Sequence, residues 1–182
     1  LLMKKTIIYS VEVPEGVTVT TEGRNVTVKG PSGTITRILL QPKVTIKVEG
    51  SKVVISAKNA TKREKMHMGS IEAHVKNMIT GVQKPYIYKL KVCASHFPMN
   101  VTISGNELII KNFLGEKVPR TIKFDKDVKV KIAGDIIEVE CADIELAGRT
   151  ASKFEGLTFI NKRDRRIFQD GIYITHKAGV DV

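Results

Sequence analysis

The chain has 182 residues, 42% hydrophobic and 27% charged, and its 30 Lys and Arg against 19 Asp and Glu give a net charge of +11. No apolar run approaches the ~20 residues of a membrane-spanning helix, no apolar signal-peptide segment follows the N-terminal lysines, and two cysteines make no disulfide framework. The composition therefore indicates a globular, cytoplasmic protein without a membrane span, and its charge favours a polyanionic partner, above all nucleic acid.

An internal repeat organises the chain, which matches itself at an offset of 84 residues. Matched positions include Val13-Pro14 with Phe97-Pro98, Val17 with Val101, Val19 with Ile103, Val44 with Val128, and Val53 with Ile137. Apolar and polar residues alternate at these positions, which predicts half-buried antiparallel strands. Turn residues at 22–25, 30–33, 104–106 and 112–115 predict short hairpin connections.

Each copy changes to helical spacing after its strands. Met68, Ile71, Val75 and Val82 predict a helix near 62–80 in the first copy. A capping box of Thr61 and Glu64 is expected at its start and a cap at Gly81 at its end. In the second copy Ala147, Ala151, Phe154 and Leu157 predict a shorter helix, because Gly148 and Gly156 lower helix propensity.

The predicted fold class is therefore α+β, with two tandem repeats of a small, mostly antiparallel sheet covered by one helix. The boundary is expected near residue 84, just before Lys84-Pro85. This gives a first domain at 1–84 and a second at 85–182, the latter with a basic C-terminal segment.

Basic residues concentrate in two places. The run Asn161–Arg166 is the densest in the chain and predicts phosphate contacts, although a solvated surface loop has the same composition. The second cluster lies at the start of the first helix, where cations oppose the helix dipole. Use in binding and simple tolerance on an exposed turn both explain it; its members are Lys58, Lys62, Arg63 and Lys65.

The pair Cys93 and His96 has a spacing found in zinc sites, but no second pair supplies the other ligands. A buried structural cysteine is the favoured interpretation, with no metal and no cofactor expected. For Cys-His catalysis the pair lacks an orienting group.

No motif for nucleotide binding or hydrolysis occurs, so no catalytic residue and no small-molecule substrate are predicted. Several acidic residues alternate with apolar strand residues, which is typical of the solvent-exposed face of a sheet; they are Asp125, Asp127, Asp135 and Glu138. With ten aromatic residues, none of them Trp, recognition by base stacking on an RRM or OB sheet is poorly supported. Recognition of the nucleic-acid backbone and its shape is what this composition favours.

The C-terminal stretch Asn161–Ile174 reads NKRDRRIFQDGIYI and closely resembles the signature of the large-subunit ribosomal protein L-six family, in its archaeal and eukaryotic form. The stretch Lys65–Val82 resembles the first-domain helix of that family, and the resemblance covers nearly the whole chain. Gly156 departs from the Gln usual in this branch, and the leading Leu1-Leu2-Met3 is also atypical.

The resemblance implies a non-enzymatic structural constituent of the cytoplasmic ribosome, with large-subunit ribosomal RNA and neighbouring ribosomal proteins as partners. It implies that the C-terminal domain makes much of the RNA contact, near the site where translational GTPases dock. By analogy the expected RNA-binding residues are Arg149, Lys153, Lys162, Arg163, Arg165, Arg166 and Lys177.

The segment after the basic run is expected to hold these arginines in place. Asp170 and Gly171 are predicted to form a tight turn in which Gly171 adopts a conformation costly for other residues. Phe168, Ile172 and Ile174 are expected to anchor the chain end on the second domain.

Two other classes of function compete with this interpretation. An RNA-processing enzyme would share the basic surface, but it needs a positioned nucleophile, base or metal set that the sequence does not display. A protein-only interaction module built on exposed strand edges would bind its partners even after nuclease treatment.

Overall fold

The computed structural model describes residues 5–23, 25–39 and 41–182. The atypical start, Leu1-Leu2-Met3, lies outside these residues, as does Arg24 of the first predicted turn. The chain divides into two compact units, the first ending at Pro85 and the second spanning Tyr86–Val182.

The first unit contains six strands and one helix, and every strand pair is antiparallel. Its elements are β1 (Lys5–Glu12), β2 (Thr18–Glu22), β3 (Asn25–Gly30), β4 (Gly33–Ile38), β5 (Thr45–Glu49), β6 (Lys52–Ala60) and α1 (Lys62–Gln83). They form two three-stranded sheets, ordered β1-β6-β5 and β2-β3-β4. Helix α1 packs against β1, β3, β4 and β6, so it covers both sheets.

The two ends of α1 are set by different signals. The capping box is confirmed, because Thr61 and Glu64 bond each other's backbone. The hydroxyl of Thr61 and its backbone N–H both donate to the Glu64 carboxylate, and these two hydrogen bonds hold the pKa of Glu64 at about 2. The expected cap at Gly81 is wrong: Gly81 is buried inside the helix, which ends at Gln83. Lys84 is extended because it precedes Pro85, and that proline therefore stops the helix.

The second unit repeats this order and adds two strands. Its elements are β7 (Tyr86–Cys93), β8 (Asn100–Ser104), β9 (Glu107–Lys111), a 3-10 turn (Phe113–Gly115), β10 (Arg120–Lys123), β11 (Lys129–Ala133), β12 (Ile136–Cys141), α2 (Ile144–Leu157), β13 (Gly171–Lys177) and β14 (Val180–Asp181). One antiparallel sheet is ordered β10-β9-β8 and the other β11-β12-β7-β13-β14. The added strand β13 pairs with β7, so the C-terminal segment is part of the main sheet.

The core of the second unit lies between α2 and these sheets. Phe154 of α2 is fully buried and meets Phe124 edge to face at 5.7 Å. The helix approaches β7 so closely that a Cβ on Gly148 would lie 3.2 Å from the Tyr88 hydroxyl. As predicted, α2 is shorter than α1, with 14 residues against 22. The α+β class with two tandem repeats is confirmed, with two sheets in each unit rather than one.

Each unit is expected to fold by itself, because each closes its own layers of sheet and helix. Fragments 1–84 and 85–182, expressed separately, should both unfold cooperatively on heating, as followed by circular dichroism. Gradual, non-cooperative melting of both fragments would contradict the predicted boundary.

Candidate nucleic-acid interface

The connection between α2 and β13, residues 158–170, carries the densest run of positive charge and is called the basic loop below. Lys162, Arg163, Arg165 and Arg166 are all exposed, and none of the four forms an ion pair with a carboxylate of the described residues. Asp164 forms the turn in the loop, since its backbone oxygen accepts from the Phe168 N–H at 3.0 Å. Its side chain accepts from the Arg166 N–H at 2.9 Å, so this carboxylate is used within the turn.

Two of the loop arginines lie on aromatic rings. The Arg163 guanidinium is 4.8 Å from the centre of the Phe168 ring, and that of Arg165 is 4.9 Å from the centre of Phe159. Stacking holds a guanidinium in one orientation and leaves its N–H edge available for a phosphate. These arginines are therefore partly preorganised for an anion, which lowers the entropy cost of binding.

A buried carboxylate fastens the end of the basic loop to the segment after β7. Asp170 is 3% exposed and accepts hydrogen bonds from the backbone N–H groups of Ser95 and His96, the latter at 3.2 Å. The Ser95 hydroxyl donates at 2.9 Å, and His96 Nδ1 lies 2.7 Å from the second carboxylate oxygen. Burial raises the pKa of Asp170, but these hydrogen bonds outweigh burial and hold the pKa below its ordinary value.

The predicted tight turn at Asp170 and Gly171 is not present, because Gly171 is the first residue of β13 and pairs with Cys93. The turn lies earlier in the loop, at Asp164. Gly171 does adopt an unusual backbone, with φ of +158°, and a Cβ there would lie 3.3 Å from both Thr158 Oγ1 and the Tyr173 ring. A side chain at this position would press on Thr158 and Tyr173, so the close approach of these two side chains favours glycine. The same Thr158 oxygen accepts from the Ile172 N–H at 2.9 Å, which fastens the start of the basic loop to β13.

The expected anchors of the chain end are in place. Ile172 is fully buried, and Phe168 and Ile174 are partly buried against the core of the second unit. The Phe168 ring also lies 4.9 Å from the His96 ring. The C-terminal end of the basic loop is thus anchored on the second unit.

The other predicted RNA-binding residues lie outside the basic loop. Arg149 and Lys153 are one turn apart on α2, and Arg149 is exposed but pairs with Asp125 at 2.6 Å. Lys177 is exposed at the far end of β13, six residues beyond Gly171 and so about 20 Å along the strand. The structure therefore brings together the four loop cations and separates Lys177 from them.

Arg120, which belongs to no basic run in the sequence, stabilises the start of the basic loop. It binds both carboxylate oxygens of Glu116, at 2.6 and 2.8 Å, and donates to the carbonyl of Leu157 at 2.7 Å. Its guanidinium also lies over the Phe113 ring at 4.4 Å. These hydrogen bonds hold the pKa of Glu116 below its ordinary value, with smaller contributions from the charges of Arg120 and Arg163.

The Cys93 and His96 pair has a different use from the one its spacing suggests. His96 bonds Asp170, and Cys93 is a free thiol that is half-buried rather than buried as expected. Within the described ranges no three His, Cys, Asp or Glu side chains cluster as metal ligands do. No helix of the described chain is both long and apolar enough to span a membrane.

The second basic cluster lies where it was expected, at the start of α1. Lys62, Arg63 and Lys65 are exposed in the first turn and a half, and Lys58 is exposed near the end of β6. Glu64, between them in sequence, is occupied by the capping box and by Lys43 at 3.5 Å.

A Gly171→Val change is expected to weaken RNA binding although no charge is lost. The added side chain meets Thr158 and Tyr173, so the second unit should lose about 1–3 kcal/mol of stability and the basic loop should shift. Filter binding and thermal unfolding measure the two effects. Gly156→Ala is the matched control, because nothing lies within 4 Å of its Cβ, and it should leave binding unchanged. Unchanged RNA affinity and salt dependence in Gly171→Val would show that this close approach has no part in binding.

Comparison with known proteins agrees with this architecture. The family model described as Ribosomal protein L6 matches residues 13–85 and 97–171, one stretch in each unit. A relative from Desulfurococcus amylolyticus, named "Large ribosomal subunit protein uL6", is 45% identical over 92% of this chain and 93% of its own length. Proteins of the same name from Methanosarcina mazei and Nanoarchaeum equitans are each 42% identical, covering 97% and 96% of this chain and 100% and 95% of their own lengths. The chain therefore belongs to the ribosomal protein L6 family, a family of structural proteins and not of enzymes.

Proposed function

We propose that this chain is a structural constituent of the large ribosomal subunit that binds ribosomal RNA through its C-terminal unit. The basic loop is the main contact, and it binds backbone phosphates. Its relatives carry the name of a large ribosomal subunit protein, which supports the assembly.

The observation that carries the proposal is a set of four exposed cations on a loop fixed at both ends. Thr158 ties the start of the basic loop to β13, and Asp170 ties its end to Ser95 and His96. A phosphate contact by an ordered cation costs less conformational entropy than one by a mobile cation. Arg165 and Arg166 can each offer the paired N–H groups that match two phosphate oxygens.

The proposed contact recognises the RNA backbone and not its base sequence. Arginines on an exposed turn can reach phosphates without reading base edges, so the loop positions the protein on folded RNA. Arg149 already pairs with Asp125, which offsets its positive charge, so it should contribute less to binding than an unpaired cation. We therefore rank it below the loop residues, with Lys153 beside it and Lys177 at the periphery.

We further propose that the chain lies near the docking region of translational GTPases, which is what the family resemblance implies. Chemical crosslinking of large subunits carrying a bound elongation-factor GTPase tests it. Crosslinks between the factor and this chain support the position, and a factor crosslinked to subunit proteins but never to this chain contradicts it.

Salt titration tests the phosphate contacts. For the full chain and deproteinised large-subunit ribosomal RNA, the logarithm of affinity should fall linearly with the logarithm of salt concentration. Four phosphate contacts give a slope of roughly −3 to −4. Affinity that does not change with salt would contradict the proposal. Sedimentation of the chain with large subunits on a gradient tests the assembly itself.

A further inference from the structure

A shallow groove lies beside the basic loop, between its last residues and the end of β7. It has a volume of about 540 Å³ and a mostly apolar surface, and its walls are Cys93, Ala94, Ser95, Gln169 and Tyr173. Gln169 belongs both to the basic loop and to the groove, so the two are continuous.

Tyr173 gives the groove a rigid aromatic wall. The residue is 39% exposed, and its hydroxyl donates to the Gln169 carbonyl at 3.1 Å, which fixes the ring. A Cβ on Gly171 would lie 3.3 Å from the ring atom Cζ, so the ring rests against bare backbone on that side. An exposed ring that is already held in place loses little entropy when another flat group stacks on it.

The groove also has polar groups at its edge. Nε2 of Gln169 donates to the Arg166 carbonyl at 3.3 Å, while its Oε1 accepts no hydrogen bond from the described residues. Arg165 lies close enough to Tyr173 for its charge to act on the phenol, whose pKa is raised mainly by burial. None of the described residues that line the groove carries a carboxylate, and the nearby Asp170 is occupied by Ser95 and His96.

We propose that this groove binds one unpaired nucleobase of ribosomal RNA, stacked on the Tyr173 ring while the adjoining phosphates contact the basic loop. Proteins recognise unpaired RNA bases by stacking them on aromatic side chains and bonding their edges, here with the Gln169 amide. This inference rests on the proposed function, and it adds recognition of a base to recognition of the backbone. A single ring serves a single base, which is consistent with the low aromatic content of the chain.

The test compares variants of the full chain for binding to deproteinised large-subunit ribosomal RNA. Tyr173→Leu keeps apolar area but removes the flat ring, and it should lower affinity by about tenfold, within the range of one lost base stack. The salt slope should stay at the wild-type value because every phosphate contact remains. Tyr173→Phe keeps the flat ring but loses the hydroxyl bond to Gln169 that holds it, so its affinity should lie between those of wild type and Tyr173→Leu. Tyr9→Leu, the same change on β1 of the first unit, is the matched control and should have no effect.

A second variant fills the groove from Ala94, another residue of its lining, which is exposed. Ala94→Leu should reproduce the loss of affinity with the salt slope unchanged. In chemical probing, one unpaired base protected by the wild-type chain should become reactive with both variants.

Wild-type affinity in both Tyr173→Leu and Ala94→Leu would overturn the inference. A reduced salt slope in Tyr173→Leu would also overturn it, because the ring would then act by holding the cations. Failure of the proposed function looks different: replacing the loop arginines would leave the salt slope unchanged, whatever Tyr173 does.

Discussion

Replacing Arg163, Arg165 and Arg166 together by Gln should weaken binding to large-subunit ribosomal RNA by about a hundredfold near 0.1 M salt. Each lost phosphate contact removes roughly 0.7–0.9 from the salt slope, so three should reduce it by about 2–3. The three side chains are exposed, and only two of them stack on rings, so stability should fall by no more than about 1–2 kcal/mol. Filter binding across a salt series measures the first effect and thermal unfolding the second.

The matched control removes three charges from strands of the same unit. Lys123, Lys129 and Lys131 are exposed on β10 and β11, and their joint change to Gln alters the net charge equally. If binding depends only on total charge, both triple variants lose affinity together. If the basic loop makes the phosphate contacts, the lysine variant should keep a salt slope within about one unit of wild type. Equal loss in both would mean that the basic loop has no special role.

Replacing Asp170 by Ala should weaken RNA binding even though it makes the chain more positive. Without the carboxylate, the backbone N–H groups of Ser95 and His96 lose their acceptor, at a cost of about 2–4 kcal/mol to the stability of the second unit. The end of the basic loop then loses its anchor and its arginines lose their preorganised placement. If only long-range attraction mattered, the more positive variant would bind RNA more tightly. Whether affinity falls or rises therefore distinguishes loss of arginine placement from a change in net charge. Filter binding and urea unfolding measure the two effects.

Asp127→Ala is the control for this variant, because it removes an exposed acid from the same unit. It should leave affinity unchanged or slightly raised. Tighter binding by Asp170→Ala, like that of a simple charge change, would contradict the positioning role.

The same carboxylate predicts a dependence of stability on pH. The folded state holds the pKa of Asp170 below the unfolded value of about 3.9. The ionised carboxylate therefore contributes fully to the free energy of unfolding at pH values above about 3.9. This contribution is lost as the pH falls through the lower pKa of the folded state. Asp170→Ala should therefore show a weaker loss of stability in this acid range than the wild-type chain.

How far the sequence predicts this structure depends on how local each signal is. The capping box of Thr61 and Glu64 spans four residues, and the alternation of strand residues is equally short-ranged, so both were predicted correctly. The cap predicted at Gly81 was wrong because glycine often ends a helix, whereas here the helix continues to Gln83 and stops before Pro85. The run of arginines was recognisable in the sequence by its charge, which says nothing of how the residues are held.

The supports of the basic loop were not predictable, because their partners are distant in sequence. Asp170 meets Ser95 and His96, 75 and 74 residues earlier, and Arg120 reaches Leu157, 37 residues later. Pairing of β13 with β7 creates the first contact, and the meeting of β10 with the end of α2 creates the second. A turn inferred from Asp170 and Gly171 alone could not anticipate either, because turn propensity describes only neighbouring residues.

The most direct measurement is ultraviolet crosslinking of intact large subunits, with the crosslinked peptides of this chain identified by mass spectrometry. We expect the crosslinks to ribosomal RNA to concentrate in residues 158–173, which comprise the basic loop and the start of β13. Crosslinks confined to the first unit, or to the lysines of β10 and β11, would contradict it.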